Sequence, residues 1–284
     1  MLPKIAILLA GYDGQKYIQE QVFSLINQKE VLVEIFIRID GQSKIFIELV
    51  TRLENQFENI HYIKGDAISS PSKNFYNLIL GMKRHDFDYY ALCDQDDIWL
   101  DNKLTNAISN FNDDSAQGYS SAFTTFNSIG KKRTYQLGAQ TKFDYFFQSA
   151  GPGCTFVLNN AGFDFLQSFL LKNPSMLSVS AHDWLIYFIF RFNNMKWIID
   201  TESYIYYRQH FSNVAGVNKG IKAKFKRINM LFYGWYFSDL IHLLSFAKQK
   251  SKLPSFYNAL QLRRSKIQSV FIWLCFWFYF KSKL

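Results

Sequence analysis

Short apolar runs alternate with segments of helical period along the first 111 residues, and this alternation limits the possible folds more than any other feature. Residues 5–10 are apolar without interruption, and residues 32–39 alternate as a half-buried strand does. Residues 60–64 and 89–93 read as further short strands. Between them, Ile18, Val22, Leu25 and Ile26 recur at the spacing of a helix with one buried face. So do Phe75, Leu78, Ile79 and Met82, and then Leu104, Ala107, Ile108 and Phe111. Strands alternating with helices of about ten to fifteen residues predict βαβ units. The expected fold class is therefore α/β, a Rossmann-like, mostly parallel sheet flanked by helices.

Beyond about residue 115 the pattern is less regular. Residues 154–158, 197–199 and 204–207 read as short strands, and 160–171 and 183–192 as helices. From Gly216 onward the chain turns helical, basic and aromatic. The expected division is a main domain over 1–215 and a helical, membrane-associating region over 216–284.

Hydrophobic residues make up 49% of the 284 and aromatics 18%, enough for a substantial core and too many for a disordered chain. Cys93, Cys154 and Cys275 lie far apart with no Cys-x-x-Cys, so neither a disulfide framework nor a zinc site is indicated. A reducing, cytosolic setting fits them. The run at 5–10 is too short for the core of a signal peptide and reads as the first strand. No run approaches the roughly 20 apolar residues of a membrane-spanning helix.

The net charge of +9 resides wholly in the last quarter of the chain. Residues 216–284 hold 13 Lys and Arg against one acid, Asp239, while the first 215 hold 19 bases and 22 acids. An acidic body argues against a nucleic-acid channel through the main domain. The basic tail also carries 16 of the 52 aromatics, which suits nucleic acid or an anionic membrane surface.

In open α/β sheets, ligands bind beyond the carboxyl ends of the strands. Three polar groups fall at such ends: Tyr12-Asp13, then Asp40, then Asp94-Gln95-Asp96-Asp97. Asp94 and Asp96, two apart in an extended segment, point to one side. Carboxylates this close repel one another and call for a counter-charge. A divalent cation such as Mg²⁺ or Mn²⁺, shared with substrate phosphates, supplies one; a solvated acidic turn before a helix is the plainer alternative.

The segments "LLAGYDGQKYIQEQVFSLINQ", "CDQDDIWLDNKL", "AHDWLIYFI" and "YYRQHFSNVAG" resemble, in order, those of glycosyltransferase family 2. The likeness spreads over roughly residues 4–216 and is closest to rhamnosyltransferase-like enzymes of bacterial surface-polysaccharide assembly. It implies a GT-A fold, a divalent metal and, usually, inversion at the anomeric carbon. By motif it places Asp94 at the ribose side of the nucleotide sugar, Asp96 on the metal and Asp97 in support. Ala10 and Tyr12 would line the base, and Asp40 would hydrogen-bond it. Family members often carry two adjacent acids at the second strand, whereas this chain has Ile39-Asp40. That departure keeps open a non-catalytic nucleotide-sugar or glycan-binding subunit on the same scaffold.

The resemblance gives the role of general base to Asp183, with His182 beside it. Read alone, Asp183 equally suits the first turn of a helix, where the dipole favours an acid. Arg208 could neutralise diphosphate charge, and His210 could ligate the metal or meet a phosphate. Lys73 and Asn74 could meet a phosphate or the donor sugar at a helix start, or Ser72 could cap that helix beside a solvated lysine. Residues 149–160 would form an acceptor-side loop or a simple tight turn.

In the tail, Lys222, Lys224, Lys226 and Arg227 mix with Phe232, Tyr233, Trp235, Tyr236 and Phe237. Arg263, Arg264 and Lys266 precede an 11-residue apolar run at 270–280, closed by Lys281 and Lys283. Rings flanked by lysines suit the headgroup boundary; a core-packed helix or a contact between copies in a homo-oligomer is the alternative. The chain is thus expected to transfer a sugar from a nucleotide-diphosphate donor to a polyprenyl-diphosphate-linked glycan in O-antigen, capsule or exopolysaccharide synthesis. Rhamnose leads over galactose, glucose or an amino sugar, and the expected location is peripheral, on the cytoplasmic face of the cell membrane.

Overall fold

The protein's structure, a computed structural model, describes residues 1–66, 68, 70–83, 87–112, 116–210, 235–254 and 259–275. The first half runs β1 (Lys4–Gly11), α1 (Ile18–Ile26), β2 (Leu32–Ile39), α2 (Lys44–Gln56), β3 (Ile60–Lys64), α3 (Pro71–Gly81) and β4 (Tyr89–Asp94). These four strands lie parallel in the order β3-β2-β1-β4. Helix α2 is an addition to the expected elements. Ser43 caps it, accepting the amide N–H of Phe46.

Alternation along β1 sorts its side chains onto two faces. Ile5, Ile7 and Leu9 share a buried cluster with Ile18, Val22 and Leu25 of α1 and Phe46 and Val50 of α2. Ala6 and Leu8 belong to a second cluster with Phe75, Tyr76 and Ile79 of α3. Each such aliphatic side chain contributes about 1.5–3 kcal/mol by leaving water. The chain therefore winds outward over one face, then returns over the other through α3 to β4. The reversal between β1 and β4 opens a crevice at their carboxyl ends, where Ala10 pairs in register with Asp94.

The second half adds β5 (Ile98–Trp99), α4 (Lys103–Ser109), β6 (Ala116–Phe126), β7 (Lys132–Tyr135), β8 (Val157–Asn159), α5 (Asn160–Lys172), α6 (His182–Phe192) and β9 (Lys196–Arg208). The sheet continues from β4 as β8-β6-β9-β5, with β7 on β6. Here β8 is antiparallel to β4 and β6, whereas β6 and β9 are parallel. The two short strands expected at 197–199 and 204–207 are one 13-residue strand, β9. The strand expected at 154–158 begins only at Val157, because Gly153–Thr155 makes a 3-10 turn.

Beyond residue 234 the described chain forms α7 (Trp235–Gln249) and α8 (Lys266–Cys275). Leu240, Leu243, Leu244, Ala247, Leu262 and Ile272 join the cluster that holds α5 and α6, so α7 packs as a core helix. Helix α8 instead leaves Ile267, Val270, Phe271 and Leu274 exposed along one stripe. Lys222, Lys224, Lys226, Arg227, Phe232 and Tyr233, and the end of the apolar run at 276–280, lie outside the described residues. No described helix is long and apolar enough to cross a membrane.

Candidate active site

At the crevice, the loops after β1 and β4 are tied by one side chain. The amide of Gln95 accepts the Tyr12 N–H at 2.7 Å and donates to the Tyr12 carbonyl at 2.7 Å. It lies directly over Gly14, where a Cβ would sit 2.2 Å from Oε1, so only glycine fits beneath it. Tyr12 itself is half exposed and available to a ligand.

The carboxylates lie at graded depth. Asp97 is 1% exposed and accepts the Arg208 N–H at 3.0 Å. Burial, then the charges of Asp96 and Asp94, push its carboxyl well above the usual range. Asp94 is pushed up to about 7, first by burial and then by Asp96. Asp94, Asp97 and Cys154 present ligand atoms within 4.8 Å of one another. Burial holds the Cys154 thiol protonated.

Lys103 approaches from below. It is 2% exposed, its Nζ lies 3.4 Å from the centre of the Trp99 ring, and it has no hydrogen-bond partner among the described residues. Burial lowers its pKa to about 8, while the charge of Asp97 opposes that shift. The acids thus carry a resident counter-charge.

Asp96 is engaged from the other side. Its Oδ2 lies 2.6 Å from His210 Nε2, and the His210 ring stacks on Tyr17 at 5.0 Å. Arg208 donates from Nε to the Asp96 carbonyl at 2.7 Å and pairs with Glu20. Its guanidinium lies between the rings of Tyr17 and Phe126, at 4.7 and 4.5 Å. Arg208 therefore braces the Asp96 loop through Nε and Nη2.

Asp40 is 1% exposed and accepts the N–H groups of Ile68 and Ser70, the latter at 2.9 Å. Its neighbour Ile39 packs in the cluster of α1 and α2, so that position serves the core. Asn74 is 2% exposed and reaches the carbonyls of Gly11 and Arg38 and the Arg38 guanidinium. Its amide ties together the ends of β1 and β2. Lys73 is exposed on α3. The cap of that helix is Ser70, not Ser72.

Ser72 instead donates to the Ser180 carbonyl at 2.5 Å and accepts the His182 N–H at 3.1 Å. With its one proton spent, Ser72 Oγ can only accept from His182 Nδ1, 3.3 Å away. Burial lowers the His182 pKa to about 3, so the ring is neutral. Its Nε2 faces Gly153, where a Cβ would approach to 2.5 Å.

Asp183 follows, in the first turn of α6. Burial raises its carboxyl to about 6 against hydrogen bonds from the Trp184 N–H and Ser149. Its charge is also felt by Asp94. A carboxylate that holds a proton only below about pH 6 is suited to accept one at neutral pH.

Residues 7–171 match the family described as Glycosyl transferase family 2. The chain belongs to that family. The dTDP-rhamnosyl transferase RfbG of Shigella flexneri is 33% identical over 273 residues, covering 95% of this chain and 93% of that one. Among solved structures, S. aureus TarS 1-349 in complex with UDP aligns with a TM-score of 0.58 at 13% identity, over 97% of this chain and 72% of that one. TarS 1-349 in complex with UDP-GlcNAc gives 0.57 at 15% identity, over 96% and 81%. The fold is GT-A, and this family 2 enzyme is a rhamnosyltransferase-like, nucleotide-sugar-dependent glycosyltransferase.

In this glycosyltransferase, Asp94, Asp96, Asp97, Arg208 and His210 meet at one strand end, and Ala10 pairs with Asp94 from β1. Gln95, Cys154, Lys103 and Glu20 join them without having been expected. A Gln between two acids signals little by itself. The other three gain their meaning only through partners that the fold brings close.

Proposed function

We propose that the enzyme transfers rhamnose from dTDP-rhamnose to a lipid-linked glycan, inverting the anomeric carbon with help from a divalent cation. The observation that carries this reading is the gathering of Asp94, Asp96 and His210 at the carboxyl end of β4, with Asp183 near enough for its charge to act on the Asp94 carboxyl. The choice of sugar is supported by the identity to the Shigella flexneri protein. Asp94 and Asp96 would offer carboxylate oxygens to Mg²⁺ or Mn²⁺, and His210, whose Nε2 now meets Asp96 Oδ2 at 2.6 Å, would add an imidazole suited to Mn²⁺; the described ligand atoms already within 4.8 Å of one another are those of Asp94, Asp97 and Cys154. Cys154 does not suit such a hard ion, since burial keeps its thiol protonated. When bound, the cation neutralises the diphosphate as it departs.

Asp183 takes the proton of the acceptor hydroxyl while that oxygen attacks the anomeric carbon. The new bond forms on the face opposite the diphosphate, whose bond to carbon breaks. Tyr12 offers the base an exposed ring, and the Gln95 clamp fixes the loop that carries it. Asp40 holds the neighbouring β3–α3 loop.

The donor assignment is tested with dTDP-rhamnose, UDP-galactose, UDP-glucose and UDP-GlcNAc, each with Mn²⁺ and with EDTA. The expected result is turnover of dTDP-rhamnose at least about tenfold above the others, since a hydroxyl or methylene is worth about 1–3 kcal/mol in such a pocket. A different preferred sugar overturns the sugar. Nucleotide binding without turnover of any donor supports a non-catalytic subunit instead.

The enzyme works at the cytoplasmic face of the membrane in this reading. The stripe of Ile267, Val270, Phe271 and Leu274 on α8 is exposed, and the surrounding tail is strongly basic. Wild-type protein is expected to float with vesicles containing anionic lipid and to release as salt rises. Replacing Val270 and Phe271 with Asp should abolish flotation; unchanged flotation would remove α8 from the membrane contact.

A further inference from the structure

Helix α6 starts without a cap of its own. Ala181 occupies its N-cap position and brings no capping side chain; within the helix Asp183 accepts only the Trp184 N–H, at 2.7 Å. The missing acceptor comes from a distant part of the chain. Asp239, on α7 and 3% exposed, accepts the Ser180 N–H at 3.0 and 3.1 Å, the Ser180 hydroxyl at 2.8 Å and the Ala181 N–H at 3.2 Å. From the opposite side, Ser72 of α3 holds the Ser180 carbonyl and the His182 N–H. The peptide at 180–182 is therefore gripped by two helices, and Asp183 is the next residue.

Asp239 is the single acid among the last 69 residues. Burial disfavours its charge, and a buried carboxylate persists only when well provided with donors. It spends its oxygens on the segment that leads into α6, with a ring contact alongside: Tyr236, one turn earlier, stacks on Trp184 at 4.9 Å.

We propose that Asp239 is a positioning residue, through which the C-terminal segment fixes the peptide that carries the catalytic carboxylate Asp183. This rests on the reading of Asp183 as the base. The C-terminal segment is then part of the active-site construction as well as of the core. A reacting group displaced by about 1 Å loses on the order of a hundredfold in rate, whereas the donor site at Asp94 and Asp96 is built from other elements.

The test uses the full-length protein with Asp239→Asn, Ser180→Ala and Asp183→Asn, reading kcat, donor KM and nucleotide affinity for each. Asp239→Asn should lower kcat by about ten- to a hundredfold, with donor KM and nucleotide affinity within about twofold of wild type. Ser180→Ala, which removes one of the four bonds, should lower kcat by a few-fold with the same split. Should Asp239→Asn fail to bind nucleotide, Ser180→Ala decides the matter by itself. Wild-type kcat in the folded Asp239 variant, or losses in KM and kcat alike, overturns the proposal. If Asp183→Asn itself turns over normally, the assignment of the base fails instead.

Discussion

Asp183→Asn is expected to cut kcat by about a thousandfold while nucleotide and donor affinities stay near wild type. A positioned general base supplies about 10²–10⁴ in rate, and asparagine keeps the shape of the side chain without accepting a proton. The same substitution should make the protein more stable at neutral pH. Burial raises the Asp183 carboxyl from an ordinary 3.8 to about 6. Between those values the folded state binds a proton that the unfolded state has lost, so wild type gains stability as pH falls through 6 and stops gaining near 4. Above pH 6 its ionised carboxylate costs on the order of 2 kcal/mol, which the asparagine variant avoids. Thermal unfolding at pH 8 and pH 4 checks this: the variant should lead at pH 8 and the two should converge at pH 4. In parallel, wild-type kcat should fall as pH drops below about 6. A variant no more stable at pH 8 would show that the ionised carboxylate carries no such penalty, and one less stable than wild type at both pH values would place the defect in folding rather than in chemistry.

An Asp96→Ala chain should bind the donor equally with Mn²⁺ and with EDTA, whereas wild type should bind at least about tenfold tighter with the metal. The expectation follows from position. Asp96 faces His210 at 2.6 Å, with Asp94 beside it and Asp97 buried below. Removing Asp96 takes away a carboxylate ligand and half of the contact that orients the imidazole. It also removes a charge that disfavours ionisation of Asp94; Asp94 then ionises more readily, but it is left as a lone carboxylate where the cation needs several oxygen ligands. Calorimetric titration of nucleotide at fixed Mn²⁺, repeated with EDTA, separates the two states. Metal-dependent binding retained by the variant would sink the assignment of Asp96 to the metal.

The parallel half of the sheet could be read from sequence because buried strands and one-sided helices leave uninterrupted or periodic apolar patterns. Strand β6 is different. Its segment Ala116–Phe126 carries Ser120, Ser121, Thr124 and Thr125, all buried, and so lacks a strand's apolar signature. Those hydroxyls are acceptable inside because Trp197 donates to Ser120 and Thr124 bonds both Thr134 and Ser203. The compensating partners lie on β7 and β9, which no local pattern aligns with β6. Helix α2 was within reach, since Phe46, Val50 and Leu53 keep helical spacing.

The same division runs through the site. The acidic strand end is visible in Asp94, Asp96 and Asp97 because unlike neighbours surround it: apolar β4 before and Ile98-Trp99 after. The roles of Asn74 and Asp40 depend on what surrounds them in space, and there each is engaged with backbone groups of neighbouring loops. Asp239 stood out only as a lone acid in a basic tail, and nothing local links it to Ser180.

Lys103 bears on how such an enzyme is made. Small zinc domains fold only with their ion because the free energy of binding it supplies their folding free energy. Here a lysine laid under the acids supplies part of their neutralisation from within the chain. On the proposed reading, folding of the chain would then not wait for the cation. An ion used by the enzyme would arrive at a site already shaped, together with the diphosphate it neutralises.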